Sequence, residues 1–484
     1  MENEASMIAV RNHRKYWMVG AIALFALLPL KDLRAQTQAN EPARRTFTLE
    51  QAVDFALKNY PAVRASLARS RAAEAGVGVA RTSYLPRTDI VWQTNRATDN
   101  NITGLLIPNS VTAPITGPVA LSPSNQSAWG SAGGLLFSWE PLDFGYRGAR
   151  VDAARAVQSR AAAEASLTRL DVSVATVNAF LTLLAAEETV RAAQADVERR
   201  ETFAKSVHVL VDNQLRAGAE ASRADAERAR SRVSLARAQQ QDAMSRAQLA
   251  NLLGIADVSV EIDGEGLLNA TPAGSAGTTA LSKNPVAVAQ QARVQESQSL
   301  VRALDRSYYP KLYLQSVVMG RGSGFDPAGK VLGGTEGLGP DRANWGAGVT
   351  VTFPVFDIFS IHSKKAVEAA NERAEQARYD QTLQDLTGQL RKAQASLDGA
   401  RKVAENTPIE LEAARTTETQ ERARYQAGLA TLVDVSDAQG LLVQSEIDDA
   451  LARLAVWQNL ASVAAAEGDL GPFFESLRVA PGVK

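Results

Sequence analysis

Residues 345–357 read Trp345-Gly346-Ala347-Gly348-Val349-Thr350-Val351-Thr352-Phe353-Pro354-Val355-Phe356-Asp357. Trp345, Ala347, Val349, Val351 and Phe353 alternate with Gly346, Gly348, Thr350 and Thr352, so an extended chain here is apolar on one face and small or polar on the other. That period of two is the signature of a strand. The same parity recurs upstream, where Trp129, Leu135, Phe137 and Trp139 share one face and Gly130, Ala132, Gly134 and Ser138 the other. Of the six tryptophans only Trp17 and Trp457 lie outside such segments. Segments of about ten residues with aromatics at their ends (Trp92, Trp129, Trp139, Trp345, Phe353) fit membrane strands with lipid on one side and water on the other. A soluble hairpin is the plainer alternative for any single copy.

Working outward, the pattern proves to be duplicated, as internal repeats are. Asn59-Tyr60-Pro61 and Tyr84-Leu85-Pro86 are echoed at one constant offset by Asn284-Pro285 and Tyr308-Tyr309-Pro310. Pro141-Leu142-Asp143 is echoed by Pro354-Val355-Phe356-Asp357, and Arg216-Ala217-Gly218 by Gln426-Ala427-Gly428. Four strands are expected, at about 85–101, 127–140, 310–322 and 343–354, with polar loops rich in Gly, Pro, Ser, Thr and Asn at about 102–126 and 323–342. Four strands cannot close a barrel, because the smallest outer-membrane barrels need about eight. An open edge in lipid leaves backbone groups unpaired at several kcal/mol each. The barrel must therefore be shared between chains, and three copies give twelve strands.

The rest is helical. From Gly145 to Ala217 there is no proline and only Gly148 inside, amid Ala, Leu, Arg, Glu and Gln. About 70 residues at 1.5 Å each make a rod on the order of 100 Å long. Leu170, Val174, Val177, Leu181 and Leu184 form a heptad seam for a neighbouring helix. Shorter helices, from about Thr48 to Tyr84 and from Ala219 to Leu253, would together cover one long partner, with Ser282–Tyr308 and Leu429–Glu467 doing the same around 363–426. Thr48 with Gln51 reads as a capping box, and Pro408 should kink its helix.

The expected boundaries are a signal peptide at 1–35, an N-terminal tail at 36–46, a first repeat at 47–257 with a helical hairpin at about 145–255, and a linker at 258–277. A second repeat at 278–470, with a hairpin at about 360–467, precedes a C-terminal tail at 471–484. The leader has a basic stretch, Arg11 to Lys15, an apolar run from Met18 to Leu30, and Leu33-Arg34-Ala35 before Gln36. No later segment reads as a membrane-spanning helix, so insertion would use strands. Among 484 residues, 52 Lys and Arg balance 53 Asp and Glu, which gives no reason to expect a nucleic acid partner. The absence of cysteine excludes disulfides, thiolate sites and the acylated cysteine of a lipoprotein.

In this order and spacing, the duplicated landmarks resemble those of the TolC family of outer-membrane efflux and secretion channels, over Phe47 to Leu470. The resemblance implies a mainly α protein with a membrane β-barrel portion, built from a duplicated helix–strand–strand–long-hairpin repeat. It implies a homotrimer in which a twelve-stranded β-barrel in outer-membrane lipid continues into a long α-helical barrel through the periplasm of a Gram-negative cell. It also implies a passive exit duct for small molecules or proteins, docked to a periplasmic adaptor and to an inner-membrane pump of RND, MFS or ABC type, in tripartite efflux or type I secretion.

The sharpest candidate site is the turn Tyr425-Gln426-Ala427-Gly428-Leu429-Ala430-Thr431 and the start of the helix after it. Asp434 and Asp437 are three apart and share a helix face. They are either two solvated acids at a helix N-terminus or, in a threefold assembly, two carboxylate rings that attract cations. The resemblance places the matching residues at the periplasmic constriction. It also matches Tyr425 to a tyrosine that bonds an aspartate of the first turn, for which Asp225 is the candidate. A gate arginine of some members falls at Ala430, so either the gate is held more weakly or Arg223 substitutes. The tips around Gly218, Ala219, Ser222, Gly428, Leu429 and Thr431 would form the docking surface.

Catalysis has no constellation behind it, and no cofactor or metal is expected. His208 and His362 lie in different helical segments without a nucleophile or ligand spacing beside them. Gly320-Arg321-Gly322-Ser323-Gly324 lacks the lysine of a phosphate-binding loop and reads as flexible loop. The competing class, a periplasmic adaptor or structural coiled coil, predicts one hairpin and soluble β-domains, where this chain has two hairpins and alternating strands.

Overall fold

The computed structural model describes residues 45–98, 126–269, 272, 280–326 and 330–479. The expected signal peptide, almost all of the first polar loop and parts of the linker and C-terminal tail fall outside the described residues. Helices α1 (Leu49–Asn59) and α2 (Pro61–Thr82) lead into strands β2 (Arg87–Thr98) and β3 (Ser127–Leu142), then into α3 (Tyr146–Asp212) and α4 (Gly218–Leu253). The second half follows the same order, with α6 (Pro285–Arg306), β5 (Lys311–Ser323), β6 (Arg342–Thr352), α7 (Asp357–Gln426) and α8 (Leu432–Glu467). The continuous helix expected from Thr48 to Tyr84 is broken at Tyr60, which is extended with ψ 127°, because Pro61 has no N–H to continue the ladder. The Thr48–Gln51 capping box does form at its start.

Strands β2, β3, β5 and β6 make one antiparallel sheet in that order. Pairing register carries the sequence alternation across all four strands: Ile90 lies opposite Leu135, Leu135 opposite Val318, and Val318 opposite Trp345. All four are exposed, Ile90 and Trp345 at more than 80 %. Thr88, Phe137, Ser316 and Ala347 form the next row on this face, and Trp139, Leu314 and Val349 the one beyond. The other face carries Arg87, Asp89, Gln93, Asn95, Gln315, Arg321, Arg342, Asn344, Thr350 and Thr352. From the row of Trp92 and Ala343 to Phe353 the strand runs about 33 Å at about 3.3 Å per residue. Tilted by about 40°, that is an apolar band about 25 Å high. Strand β5 continues through Ser323, which corrects the reading of Gly320 to Ser323 as loop. A Cβ on Gly322 would lie 2.0 Å from the Gly339 carbonyl oxygen, so Gly322 is required by close backbone approach.

Below the sheet, α3 packs against α2 and α4 on one side and α6 and α8 on the other, while α7 packs against α6 and α8. Among the described residues, β2 and β6 each have one unpaired edge, continued by α2 and α4 on one flank and by α7 on the other. The junction of sheet and helix is fixed by Asp143, which accepts from the backbone N–H groups of Gly145 and Arg147 and from Arg147 Nε at 2.9 Å. Arg147 in turn donates to the Ser83 carbonyl and lies 4.9 Å above the Tyr84 ring. Pro408 lies inside α7, whose helix runs through it uninterrupted from Asp357 to Gln426.

The main core lies midway along the hairpins. The seam residues Val177, Leu181 and Leu184 are buried there with Phe47, Leu249, Leu253, Trp457 and Leu460. Helix α3 is long and apolar enough to cross a membrane by length and composition, contrary to the sequence expectation, but 56 % of its apolar window is buried in the molecule. Two stretches expected as linker and tail belong to this core. Strand β4 (Val260–Ile262) pairs in parallel with β1 (Arg45–Phe47), and α5 (Glu265–Asn269) buries Leu267. Helix α9 (Gly471–Val479) buries Phe473 and Leu477. Both stretches are short, so neither shows a readable period, yet both reach Trp457 of α8, which donates to the Leu267 carbonyl and meets the Phe473 ring edge-on.

Candidate functional site

The two turns at the far end of the hairpins, α3–α4 and α7–α8, meet in a small separate core of Phe203, Ala204, Val207, Ala224, Tyr425, Ala430, Leu432 and Val435. Tyr425 sits at its centre, 1 % exposed. Its ring meets Phe203 edge-on at 5.2 Å and lies 4.6 Å beneath the Arg216 guanidinium. Its hydroxyl donates to Glu220 Oε2 at 2.7 Å, and Arg216 Nη2 donates to its carbonyl at 3.0 Å. Arg216 also stands 3.8 Å from Glu220. One hairpin thus grips the other through an Arg–Tyr–Glu cluster. Burial, then the bond to the Glu220 carboxylate, pushes the Tyr425 hydroxyl up to about 12, because ionising it would place a second negative charge beside the first.

The expected partner of Tyr425, Asp225, is not in this cluster. Asp225 bonds His208 Nε2 at 3.1 Å and Arg228 at 3.0 Å, within its own hairpin. Arg223 is exposed, and the cation comes from Arg216 instead. The reason lies in how the turns are built. Gly428 is the left-handed residue of the second turn, with φ 75°, whereas Gly218 is the first residue of α4. The left-handed residue of the first turn is Gln214, with φ 57°. Aligning Gln214 with Gly428 puts Leu215 on Leu429, Arg216 on Ala430 and Glu220 on Asp434. Glu220 and Asp434 are then the third residues of α4 and α8.

Asp434 has a different role from Glu220. Its carboxylate accepts from the Thr431 N–H and hydroxyl, each at 2.8 Å, and its own N–H donates back to Thr431 Oγ1, a complete capping box. Those bonds stabilise the ionised carboxylate and hold its pKa below the ordinary carboxylate value. Asp437 lies one turn on, and both carboxylates are exposed on one face of α8. Gly218, Ala219, Ser222, Gly428, Leu429 and Thr431 are all exposed at this end, and the sequence reading overlooked Leu215 beside them, 69 % exposed. Further from the tip, Arg199 of α3 makes a two-pronged ion pair with Glu446 of α8 at 3.2 and 2.8 Å, a second tie between the hairpins. His362 is exposed near the start of α7, and no His, Asp and Glu group suited to a metal occurs among the described residues.

The sequence pattern of the outer membrane efflux protein family matches residues 52–255 and 277–469. Among curated proteins no sequence matches the chain. Solved structures do. The Campylobacter jejuni CmeC outer membrane channel superposes with a TM-score of 0.69 at 18 % identity, over 87 % of this chain and 85 % of that one. The outer membrane protein VceC of Vibrio cholerae gives 0.68 at 18 %, over 87 % and 96 %. The open state of the Neisseria gonorrhoeae MtrE outer membrane channel gives 0.66 at 18 %, over 87 % and 89 %.

Proposed function

Since the chain belongs to the outer membrane efflux protein family, an efflux channel and not an enzyme, we propose that three copies join edge to edge as the exit duct of a pump that spans two membranes. One observation carries this reading: an open four-stranded sheet, apolar and exposed on one face and polar on the other, with both outer edges unpaired among the described residues. An unpaired edge in lipid is untenable, and β6 of one copy pairing with β2 of the next closes twelve strands around a polar lumen. The unpartnered flanks of α7 and of α2 with α4 meet on the same seam, so the helices close into a tunnel with the sheet.

At the far end, three copies bring Asp434 and Asp437 into two carboxylate rings, and the Arg216–Tyr425–Glu220 cluster holds each pair of hairpins inward. The exposed tips, with Leu215 and Leu429 prominent, dock a periplasmic adaptor linked to an inner-membrane pump. Energy comes from that pump. The test is conductance of the detergent-purified protein, of confirmed trimeric mass, in a planar bilayer. Small cation-selective steps that grow and lose selectivity in Asp434→Ala with Asp437→Ala are expected. A monomer that never conducts would overturn the reading in favour of a structural coiled coil.

A further inference from the structure

The sheet holds a charged row that neither the fold nor the latch uses. Arg321 of β5 and Arg342 of β6 are direct partners in the ladder. Like charges placed opposite each other on one sheet face repel and are normally avoided. The register puts both on the polar face, in the row of Gln93 and Ala132, back to back with the row of Trp92 that borders the apolar band. Among the described residues neither guanidinium has an ion-pair partner, although Arg87 and Asp89, lower on the same face, pair at 2.8 Å. The neighbouring polar-face positions are small or neutral: Gly130, Ala132, Gly134, Met319, Ser323 and Asn344. Asp341, whose N–H donates to the Arg321 carbonyl at 3.1 Å, is the acid beside them in the chain, and among the described residues it forms an ion pair with neither guanidinium.

We propose that Arg321 and Arg342 form an anion-binding row inside the outer mouth of the duct, selecting cargo that carries phosphate or carboxylate groups. The inference depends on the trimeric barrel proposed above, in which three copies set six guanidinium groups around one lumen. Guanidinium binds such anions in a two-pronged way, and a ring of like charge within a pore sets its ionic preference. The row lies at the opposite end of the chain from Asp434 and Asp437. An anionic group that passes the acidic constriction in the company of cations is thus received by a complementary site before release. The side chains belong to the face away from lipid, which assigns them to soluble anions and not to lipid headgroups.

Tripolyphosphate, added to each bilayer compartment in turn, is the probe. Single-channel current in wild type should be blocked from one side, with the half-blocking concentration rising at least tenfold in Arg321→Gln with Arg342→Gln. Arg321→Lys with Arg342→Lys, which keeps the charge, should retain most of the block. Equal block in wild type and the Gln variant overturns the anion row while leaving the channel reading intact. A protein that never conducts overturns both. Block that disappears when anionic lipid is added to a neutral bilayer gives the row to headgroups and overturns its assignment to cargo.

Discussion

Replacing Tyr425 by Phe removes one oxygen from the tip cluster and nothing else. The ring stays against Phe203 and under Arg216, and the Arg216 bond to the backbone carbonyl is untouched. What goes is a 2.7 Å bond to a carboxylate. A hydrogen bond to a charged group contributes about 1.5–3 kcal/mol. Glu220 is 26 % exposed along its side chain and keeps Arg216 nearby, so its freed oxygen recovers some water and the low end applies. About 1.5 kcal/mol is roughly a tenfold shift in the equilibrium between gripped and released hairpins. If three copies release together, the shift approaches a thousandfold. The assay is open probability in a planar bilayer for Tyr425→Phe, Glu220→Gln and the double variant, with amide exchange in the first turn of α4 as an independent readout. Both single variants should open the channel, and the double variant should add little to Tyr425→Phe, since Tyr425→Phe removes the bond that Glu220→Gln weakens by taking away the acceptor's charge. Wild-type closure in both singles, with Asp434→Ala and Asp437→Ala still opening the channel, would refute the latch.

Three other outcomes follow from the same geometry. The raised pKa of Tyr425 means that its contribution is fully present below about pH 10, the unfolded value, and lost as pH rises through about 12. Tyrosinate absorbance should therefore show a component titrating near pH 12 that Tyr425→Phe removes. Trp457, fully buried and donating its indole N–H to the Leu267 carbonyl at 3.0 Å, should on conversion to Ala cost about 3–5 kcal/mol, read as a lower unfolding temperature in detergent. Thr431→Ala removes the hydroxyl half of the capping box, at about 1 kcal/mol of helix stability. It should speed amide exchange at Val433 and Asp434 and raise the Asp434 carboxyl toward its ordinary value.

Much of this fold was legible because two periods are written plainly in the chain. The alternation of Trp345 to Phe353 predicted which residues share a sheet face, and the heptad of Leu170 to Leu184 predicted the seam that meets the core. The strand ends that fall within the described residues lie no more than two residues from their expected places, a shift that arises when pairing, not composition, ends a ladder. The linker and tail were misjudged because β4, α5 and α9 are too short for any period. The tip cluster was missed for another reason. Sequence likeness pairs Arg216-Ala217-Gly218 with Gln426-Ala427-Gly428, yet backbone conformation pairs Gln214 with Gly428. Glycine marks a left-handed position only where φ demands it, and a residue such as Gln adopts one seldom enough that no sequence rule anticipates it.

That corrected pairing of the turns explains why two acids in the same helical position do different work. Glu220 and Asp434 are each the third residue of their helix. The residue before α8 is Thr431, whose hydroxyl and N–H occupy the short Asp434 side chain at home. The residue before α4 is Ala217, which offers no side-chain cap, and the longer Glu220 reaches across to Tyr425 instead. Arm length is then the deciding variable, and Glu220→Asp tests it with charge held constant. Shortening by one carbon withdraws the carboxylate by about 1.5 Å, which takes a 2.7 Å contact past hydrogen-bonding range. The variant should open the channel to the same degree as Glu220→Gln while leaving the unfolding temperature of the main core unchanged. Closure retained in Glu220→Asp would mean that the negative charge beside Arg216, and not the bond to Tyr425, holds the two hairpins together.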